Sequence, residues 1–534
     1  MPRVFIVGWD GATFDLIRPW IDDGRLPNLG RLMAQGVHGP LRSTLPPWSF
    51  QAWTSFMTGR NPGKHGVYDF FRTPVGTYDL EFVNAGHRRG GATLWQVLSE
   101  AGRNVVSIGI PGTFPPDAVN GVMISGFDFP GEGPGTYLDD KGIYPRDMFD
   151  ELQREVGPYP IDPPILNEMK EGRFAVALDR ILDTTRRQAS TARYLAQTQP
   201  WDCFMMVFGE SDGVSHYFWQ YCDQRSPFYV AKPGLGDSIL RVYQELDRQL
   251  GDLLDCVSED SMVVVMSDHG SGGVSPWVLF PNLWLQERGF IRLRGATTQR
   301  LSRVRQMAKQ WGIRALPSWL QRILYRNALK VIGRYEARVR YGIIDWSNTQ
   351  AYFDENPYFP VIRINVKGRR PHGIVEPGAE YERVRDGIIE ALESWRHPVT
   401  GERIVEKAYR REEVYHGECF EEAADIIPKW ALQDGYSYGF RLSAQAPGDA
   451  WIVPVDPNDP HSPFFPHKFS SHRDYAIFAA KGPGISPGTR IDGMQIIDVA
   501  PTILQWLDVP VPADMDGRVM DFAADTRVAV SSIV

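Results

Sequence analysis

The stretch Met262-Val263-Val264-Val265-Met266-Ser267-Asp268-His269 places a carboxylate and an imidazole just after five consecutive apolar residues. A short apolar run without alternation predicts a strand buried on both faces, which is typical of a parallel sheet. Carboxylate oxygen and imidazole nitrogen are common protein ligands of divalent metals. The stretch therefore predicts a pair of metal ligands at the end of a buried strand.

Three further apolar runs have candidate ligands close to one end. These runs are residues 4–8 before Asp10, residues 203–208 before Asp212 and His216, and residues 476–480 after His472. In open α/β sheets, ligands bind at the carboxyl ends of the strands, so we expect these side chains to meet at one edge. The pattern suggests a metal centre assembled from distant parts of the chain.

Strand-like runs alternate with helix-length segments along the chain. Helices are predicted at residues 92–100 and 237–257, and each is followed by an apolar run. This alternation favours an α/β fold with a doubly wound, mostly parallel sheet. Two stretches interrupt the alternation, and both are predicted to be cap insertions over the sheet edge. One is rich in Gly and Pro and leads into a helix predicted at about residues 168–197.

The chain length is too great for one ordinary core, so we expect a large catalytic domain with insertions. The predicted parts are a core at 1–282 with a cap-like excursion at about 130–200, a basic helical insertion at 283–341, and a second core part at 342–534 that carries the last metal ligand.

The helical insertion is strongly basic. Eleven Lys/Arg residues and a single acidic residue, Glu336, lie between Arg300 and Arg340, interleaved with Trp and Leu. We interpret residues 300–340 as a solvated amphipathic cap, as a peripheral contact with anionic membrane, or as a region that steers phosphorylated substrates. No recognised nucleic-acid motif accompanies it.

Two features of the sequence bear on its location. No run approaches the roughly 20 apolar residues that a membrane-spanning helix needs, and residues 1–8 lead directly into a strand without the pattern of a signal peptide. The four cysteines include no CxxC pair, which fits a reduced protein better than a disulfide framework. A cytoplasmic location is therefore expected.

The candidate ligands supply only oxygen and nitrogen. Asp212 and His216 are four residues apart, so on a helix both can face one ion. An aspartate after a strand is often only a helix cap, and a single histidine is usually structural, but so many such groups at strand ends favour a metal. Carboxylate with imidazole favours Zn²⁺, and Mn²⁺ or Fe²⁺ would also fit.

A hydroxyl candidate lies in Pro46-Pro47-Trp48-Ser49, after which a helix is predicted up to Gly59. The prolines stop any earlier helix, and Ser49 is expected to be the N-cap. A capping role alone would explain Ser49. The alternative is a nucleophile, because a helix N-terminus stabilises phosphate and a bound metal lowers the pKa of a hydroxyl.

An ordered series of motifs covers nearly the whole chain. The motifs are Gly8-Trp9-Asp10-Gly11, Ala52-Trp53-Thr54-Ser55-Phe56-Met57-Thr58-Gly59, Asn61-Pro62-Gly63-Lys64-His65-Gly66, Asp212-Gly213-Val214-Ser215-His216, Ser267-Asp268-His269-Gly270, Asp345-Trp346-Ser347-Asn348-Thr349, Ile364-Asn365-Val366-Lys367-Gly368-Arg369 and Ile497-Asp498-Val499-Ala500-Pro501-Thr502-Ile503-Leu504. The series resembles the alkaline phosphatase superfamily in its type I phosphodiesterase/nucleotide pyrophosphatase branch. Within it, the chain resembles proteins described as predicted phosphohydrolases or phosphomutases.

The resemblance implies two divalent metal ions and a covalent mechanism. One ion would be held by Asp212, His216 and His472, and the other by Asp10, Asp268, His269 and the Ser49 oxygen. His472 matches the last ligand better than the nearby His461 or His467, because a strand-like run follows it as in the family pattern. Ser49, ten residues before Gly59, falls at the position of the nucleophile, which would attack phosphorus in line and form a phospho-enzyme intermediate.

Local sequence separates the branches of this superfamily. A formylglycine sulfatase would need Pro and Arg where Gln51 and Trp53 stand, and the serine context also differs from that of the cofactor-independent phosphoglycerate mutases. Trp48, Phe50 and Trp53 are expected to form an apolar pocket, which favours a diester or pyrophosphate with an organic group. His65 is expected to be structural, and Glu210 to be a cap or solvated, with contact to the metal ligands as the alternative.

These observations predict a phosphodiesterase/nucleotide pyrophosphatase-like hydrolase that acts on a phosphorylated small molecule, a nucleotide, or a lipid or glycan substrate. The alternatives are a phosphomonoesterase, a phosphotransferase or phosphomutase of the same superfamily, and a catalytically silent protein that binds phospholipid or glycan.

Overall fold

The computed structural model describes residues 2–126, 137–163, 165–294 and 329–522. The strands are β1 (Arg3–Trp9), β2 (Val37–Arg42), β3 (Phe71–Arg72), β4 (Glu81–Phe82), β5 (Val105–Ile110), β6 (Gly121–Ser125), β7 (Ile143–Tyr144), β8 (Cys203–Phe208), β9 (Ser261–Met266), β10 (Gly270–Leu279), β11 (Ala351–Phe353), β12 (Ile362–Ile364), β13 (Val405–Arg410), β14 (Ile426–Trp430), β15 (Leu432–Gln433), β16 (Tyr436–Phe440), β17 (Ile452–Pro454), β18 (Ser470–Arg473), β19 (Tyr475–Lys481), β20 (Thr489–Arg490) and β21 (Met494–Gln495).

The helices of the described ranges lie between these strands. They are α1 (Phe14–Asp22), α2 (Pro27–Gln35), α3 (Ser49–Thr58), α4 (Pro62–His65), α5 (Leu94–Glu100), α6 (Met148–Glu155), α7 (Leu166–Lys170), α8 (Phe174–Thr198), α9 (Glu210–Cys222), α10 (Ser238–Leu254), α11 (Pro281–Glu287), α12 (Leu329–Tyr341), α13 (Ala379–Glu393), α14 (Arg411–Val414) and α15 (Val499–Trp506). None of these helices combines the length and the apolar composition needed to cross a membrane.

A central sheet orders the strands β20-β2-β19-β9-β1-β8-β5-β6-β7, with β21 also paired to β2. The strands β9, β1, β8, β5 and β6 are parallel to one another, whereas β19 and β7 run antiparallel to their neighbours. The predicted α/β fold with a mostly parallel sheet is therefore confirmed.

Both faces of the central sheet are covered by helices. Val4 and Ile6 of β1 pack in a core with residues of α3, α5 and α15. Phe5, Val7 and Trp9 point to the other face and pack with residues of α8, α9 and α10. Burial on both faces explains why these strands are continuously apolar in the sequence.

A second core stands beside the central sheet. It contains the antiparallel sheet β11-β12-β14-β13, helix α13 and buried side chains from β16 and α11. Strands β11 and β12 have only three residues each, too few to show an alternating pattern in the sequence. The loop between β11 and β12 contributes Tyr358, which contacts the metal-ligand candidates described below.

The cap regions differ from the predicted helices in detail. The helix predicted at 168–197 is divided into α7 and α8, because Gly172 adopts a left-handed conformation with φ of +71° between them. Most of the basic stretch at 300–340 lies outside the described residues. In its described part, Arg340 is buried, and its Nε lies 2.9 Å from Oε1 of Glu336.

Candidate metal centre and nucleophile

The strand register brings three carboxylates to one edge of the sheet. Gly8 of β1 lies level with Val207 of β8 and with Met266 of β9, so the chain leaves these three strands at the same height. Asp10 follows β1, Asp212 lies in the first turn of α9 after β8, and Asp268 follows β9.

His472 reaches the same edge by a different route. It lies on β18, which pairs with β10 and precedes β19. This residue precedes its strand, as the sequence shows, and β19 runs antiparallel to β9. The start of an antiparallel strand lies at the carboxyl end of its parallel neighbours, so a ligand before the strand arrives at the same place.

The three candidate histidine ligands share one arrangement at Nδ1, which faces a backbone carbonyl oxygen in each case. Their Nδ1 atoms lie 3.1 Å from the carbonyl oxygen of Ser470 for His216, 3.0 Å from that of Gly270 for His269, and 2.8 Å from that of Pro47 for His472. A carbonyl oxygen only accepts hydrogen bonds, so Nδ1 carries the proton and Nε2 keeps a lone pair. This arrangement is the one that orients Nε2 toward a metal.

The three Nε2 atoms face carboxylate oxygens. The separations are 3.2 Å from His216 to Asp212 Oδ2, 3.9 Å from His472 to Asp212 Oδ1, 3.3 Å from His269 to Asp268 Oδ2 and 3.5 Å from His269 to Asp10 Oδ1. Two ligands at roughly 2.0–2.1 Å from a tetrahedral ion would lie roughly 3.3 Å apart, so these separations suit a shared cation.

The hydrogen bonding of the carboxylates supports the same interpretation. Oδ1 of Asp10, Oδ1 of Asp212 and Oδ2 of Asp268 are buried and have no hydrogen-bond donor among the described residues. Buried oxygens without a partner are costly, and a cation would satisfy them. The ligand atoms form two overlapping groups, Asp212–His216–His472 and Asp10–Asp212–His269, so Asp212 belongs to both.

Burial and the close spacing of the acids perturb their protonation. Burial raises the pKa of Asp268 to about 7, and burial together with Asp268 raises the pKa of Asp10 well above its usual value. Burial lowers the pKa of His216 and of His472, which favours neutral imidazole. The pKa of Asp212 is instead held below its usual value, because His216 and the neighbouring histidines outweigh the effect of burial. Asp10 and Asp268, which resist ionisation beside neutral imidazoles, fit a site whose charge is balanced by a metal cation.

Ser49 occupies the start of α3, but the predicted cap is displaced by one residue. Trp48 is the N-cap, and Ser49 is the first helical residue. Its hydroxyl is therefore not used as a cap, and Oγ lies 3.1 Å from Nε2 of His269. The Ser49 hydroxyl and the His269 imidazole are buried together, so the hydroxyl joins the ligand atoms and lies at a helix N-terminus that favours phosphate.

Two of the three aromatic residues that were predicted to line a pocket around Ser49 do not line one. Phe50 and Trp53 are fully buried. The indole Nε1 of Trp53 donates to Oδ2 of Asp10 at 2.9 Å, so this residue supports a ligand candidate. Trp48 packs edge-to-face against Tyr358 at 5.3 Å between ring centroids.

His65 and Glu210 also have defined environments. His65 is buried, its Nε2 lies 2.9 Å from Oγ of Ser55, and burial lowers its pKa to about 3, which fits the structural role predicted for it. Glu210 is buried rather than solvated, and burial raises its pKa to about 8. Of the two roles expected for Glu210, a helix cap or a solvated side chain, the solvated one is therefore wrong.

Sequence reasoning missed Tyr358 and Lys468. The ring of Tyr358 lies 5.6 Å from that of His472 and 5.8 Å from that of His216, and Lys468 Nζ lies 5.3 Å from the Tyr358 ring. Lys468 is four residues before His472, a spacing that could have been noticed. The two other histidines near His472 lie elsewhere, with His461 exposed and His467 in a neighbouring cavity.

The chain matches a known protein family over most of its length. The family model described as type I phosphodiesterase / nucleotide pyrophosphatase matches residues 4–440. A comparison with curated proteins found no match.

Two solved structures are similar to the chain over most of its length. Phosphonoacetate hydrolase from Sinorhizobium meliloti 1021, in complex with phosphonoformate, has a TM-score of 0.53 and 15% identity, with 95% of each chain covered. Murine ectonucleotide pyrophosphatase / phosphodiesterase 5, in complex with AMP, has a TM-score of 0.49 and 12% identity, with 96% of each chain covered. The likeness to the former supports the fold described above.

Proposed function

Because the chain belongs to the type I phosphodiesterase/nucleotide pyrophosphatase family, we propose that it is a divalent-metal-dependent phosphodiesterase with Ser49 as its nucleophile. The observation that carries the proposal is the approach of Ser49 Oγ to within 3.1 Å of His269 Nε2, inside the cluster of ligand candidates. Asp212, His216 and His472 would hold one ion, and Asp10, Asp268, His269 and Ser49 the other.

Divalent ions bound there would supply positive charge that lowers the pKa of the Ser49 hydroxyl and neutralises charge on the phosphoryl oxygens. The chain itself positions the reacting atoms. Ser49 Oγ loses its proton and forms the bond to phosphorus while the bond to the leaving oxygen breaks, and that oxygen departs with the electron pair and takes up a proton. Water then attacks the phosphorus of the resulting Ser49 phosphodiester, the bond to Oγ breaks, Oγ takes up a proton, and the phosphomonoester is released.

The Ser49 hydroxyl is held for this reaction by rigid neighbours. It lies on the first turn of a ten-residue helix that is buried along its whole length. The N-terminus of this helix would also attract the phosphoryl group. The His269 ring is fixed by the carbonyl of Gly270 and stacks on that of His472 with 3.6 Å between centroids, so little reorganisation is needed.

The proposal predicts metal-dependent cleavage of diesters. The metal-replete protein should hydrolyse bis(4-nitrophenyl) phosphate and should lose this activity on chelation, with recovery when Zn²⁺ or Mn²⁺ is restored. Release of 4-nitrophenolate measures the rate, and elemental analysis measures the bound metal. Absence of bound metal after metal-replete growth, together with absence of turnover, would instead support a silent binding protein. A higher kcat/KM for 4-nitrophenyl phosphate than for the diester would support a phosphomonoesterase.

The Trp53 hydrogen bond predicts a specific effect on metal binding. Trp53→Phe removes the donor to Asp10 Oδ2 and should weaken binding of one ion roughly tenfold to a hundredfold. Trp95→Phe is a matched control, since the Trp95 indole donates to Asp117 Oδ2 at 2.8 Å on α5. Titration with Zn²⁺, followed calorimetrically, compares the two variants. Equal affinities would remove Trp53 from the support of the site.

The cellular location and any contact with anionic membrane stay predictions. The cysteines Cys203, Cys222, Cys256 and Cys419 are all free thiols, which is compatible with the proposed reduced environment. Flotation with liposomes, with and without anionic lipid, would test the membrane contact proposed for residues 300–340.

A further inference from the structure

Trp48, the residue directly before Ser49, is enclosed by three aromatic side chains. Its ring lies 5.1 Å from that of Phe70, 5.3 Å from that of Tyr358 and 5.7 Å from that of Phe359, measured between centroids. All three contacts are edge-to-face, an arrangement that stabilises aromatic pairs and depends on their orientation. Trp48 is 3% exposed, so these three neighbours fix the position of its ring.

The position of Trp48 bears on two groups of the candidate site. Trp48 is the N-cap of α3, so its backbone determines where the helix begins and where the Ser49 side chain starts. Its ring also lies 5.9 Å from that of His472, whose Nδ1 faces the carbonyl oxygen of Pro47. A shift of Trp48 would therefore move Ser49 Oγ away from its 3.1 Å contact with His269 Nε2.

A hydrogen bond joins the two chain segments that supply the aromatic neighbours. Asn356 Nδ2 donates to Asp69 Oδ2 at 2.9 Å. On one side, Asp69 Oδ1 accepts from the backbone N–H of Phe70 at 2.6 Å. On the other side, Asn356 Oδ1 accepts from the backbone N–H groups of Tyr358 at 2.9 Å and of Phe359 at 3.3 Å. The bond therefore ties Phe70 to the turn that carries the other two aromatic residues.

The polarity of this bond is fixed by its surroundings. Turning the Asn356 amide over would remove all three of its hydrogen bonds, because Oδ1 faces two N–H groups and Nδ2 faces a carboxylate. Burial raises the pKa of Asp69 to about 6, against the effect of Arg340, so at about pH 8 the carboxylate is ionised and only accepts. Asn356 is therefore the donor, and Asp69 is the acceptor.

The turn that begins at Asn356 is held in one conformation by its contacts. Glu355, the preceding residue, has φ of +52°, a left-handed conformation that is unfavourable for residues other than glycine. Its Oε1 accepts from the Ser443 N–H at 2.8 Å. Oδ1 of Asp354 accepts from the N–H groups of Asn356 and Val361, both at 3.2 Å. Strain of this kind persists where contacts enforce it, often near functional sites, so the turn is built to hold one shape.

We propose that Asp69 and Asn356 are a positioning pair, whose hydrogen bond holds the residue before the nucleophile. By fixing Trp48, the bond would place Ser49 Oγ for its attack on phosphorus. This inference rests on the proposed phosphodiesterase function. Neither side chain of the pair belongs to the groups of candidate metal ligands, so the pair acts through the aromatic neighbours of Trp48. Loss of the bond should therefore lower kcat more than it raises KM.

The test reverses the direction of the hydrogen bond. Asn356→Asp places a second carboxylate against the first, and Asp69→Asn leaves one acceptor oxygen for two donors. The double variant that combines both substitutions restores a donor and an acceptor at each position, with the direction of the bond reversed. The values of kcat and KM for bis(4-nitrophenyl) phosphate are measured at about pH 8 with metal-loaded proteins. Elemental analysis and thermal unfolding accompany each rate.

We expect each single substitution to lower kcat by roughly tenfold to a hundredfold, as for a reacting group displaced by about 1 Å, while KM changes by less than about threefold. The double variant should return kcat to within about threefold of the wild type, because the two substitutions compensate each other. In Asn356→Asp, kcat relative to the wild type should also rise as the pH falls, since protonation of one of the two facing carboxyls supplies the missing donor.

Asn28→Asp is the matched control. Asn28 Nδ2 likewise donates to a carboxylate, Asp247 Oδ2 at 3.2 Å, and Asp247 Oδ1 accepts from the Leu29 N–H at 2.8 Å. This bond joins α2 to α10 and not the segments around Trp48. The substitution should lower the unfolding midpoint and leave kcat within about threefold of the wild type.

Wild-type kcat in both single variants would overturn the positioning role and leave the phosphodiesterase proposal intact. A fall in kcat that the double variant does not reverse would also overturn it, because the effect would not depend on the hydrogen bond. Loss of bound metal in proportion to the loss of rate would overturn it as well, since it would indicate a structural role. Failure of the wild type to cleave the diester would overturn both proposals. If Asn356→Asp does not fold, Asp69→Asn and the double variant provide the same comparison.

Discussion

Replacing Ser49 with alanine is expected to lower the turnover of an aryl phosphodiester by roughly three to five orders of magnitude. The substitution removes the atom that would bond to phosphorus, while Asp10, Asp268 and His269 remain to hold an ion. Bound metal should therefore fall little, and the thermal unfolding midpoint should stay near that of the wild type. Stopped-assay rates, elemental analysis and circular dichroism give these three readouts.

Ser55→Ala is the matched control for this experiment. Ser55 lies on the same helix, is buried, and contacts a histidine in the same way, with Oγ 2.9 Å from Nε2 of His65. Loss of that hydrogen bond should cost about 1 kcal/mol of folding stability and leave turnover within a few-fold of the wild type. If Ser49→Ala behaves like Ser55→Ala in turnover, Ser49 has no part in the chemistry.

The central sheet and the ligand candidates could be predicted because they depend on local sequence. Continuous apolar runs identify strands buried on both faces, and polar residues at their ends mark the edge where ligands meet. Asp10 and Asp268 follow directly from this argument. The approach of Asp212 to His216 follows from their spacing on a helix.

Other features depend on contacts that the sequence does not encode locally. Tyr358 reaches the site from a separate sheet of short strands, which carry too few residues for a clear periodic pattern. Trp53 was assigned to an apolar pocket because its side chain is aromatic, but the fold directs its indole N–H to a buried carboxylate. The N-cap of α3 is Trp48, whereas the sequence predicts Ser49. Serine is a favoured N-cap residue, but here the Ser49 hydroxyl lies toward His269.

The sequence also does not show that Asp212 belongs to both groups of candidate metal ligands. The family resemblance assigns it to one ion with His216 and His472. In the structure its oxygens also lie among the ligand atoms of Asp10 and His269. Asp212 is about one-fifth exposed, whereas His216 and Asp10 are nearly inaccessible, so it lies where the cluster opens to solvent.

Replacing Asp212 with alanine is therefore expected to reduce occupancy of both metal positions. Wild-type protein should bind about two ions per chain, His216→Ala about one, and Asp212→Ala fewer than one. The reason is that His216 belongs only to the first group of candidate ligand atoms, whereas the carboxylate of Asp212 lies within reach of both groups, so its loss would also weaken the ion position beside Asp10 and His269. Activity should be lost in either variant, so elemental analysis after gel filtration in metal-free buffer is the measurement that separates them.

Asp223→Ala controls for damage to α9. Asp223 is the C-cap residue of this helix, and its carboxylate accepts from Trp219 Nε1 at 3.1 Å and from the Tyr436 hydroxyl at 3.0 Å, away from the ligand candidates. Its loss should lower the unfolding midpoint without changing the metal content. If Asp212→Ala instead keeps one ion per chain, as His216→Ala does, Asp212 serves a single ion and the two groups of ligands are separate.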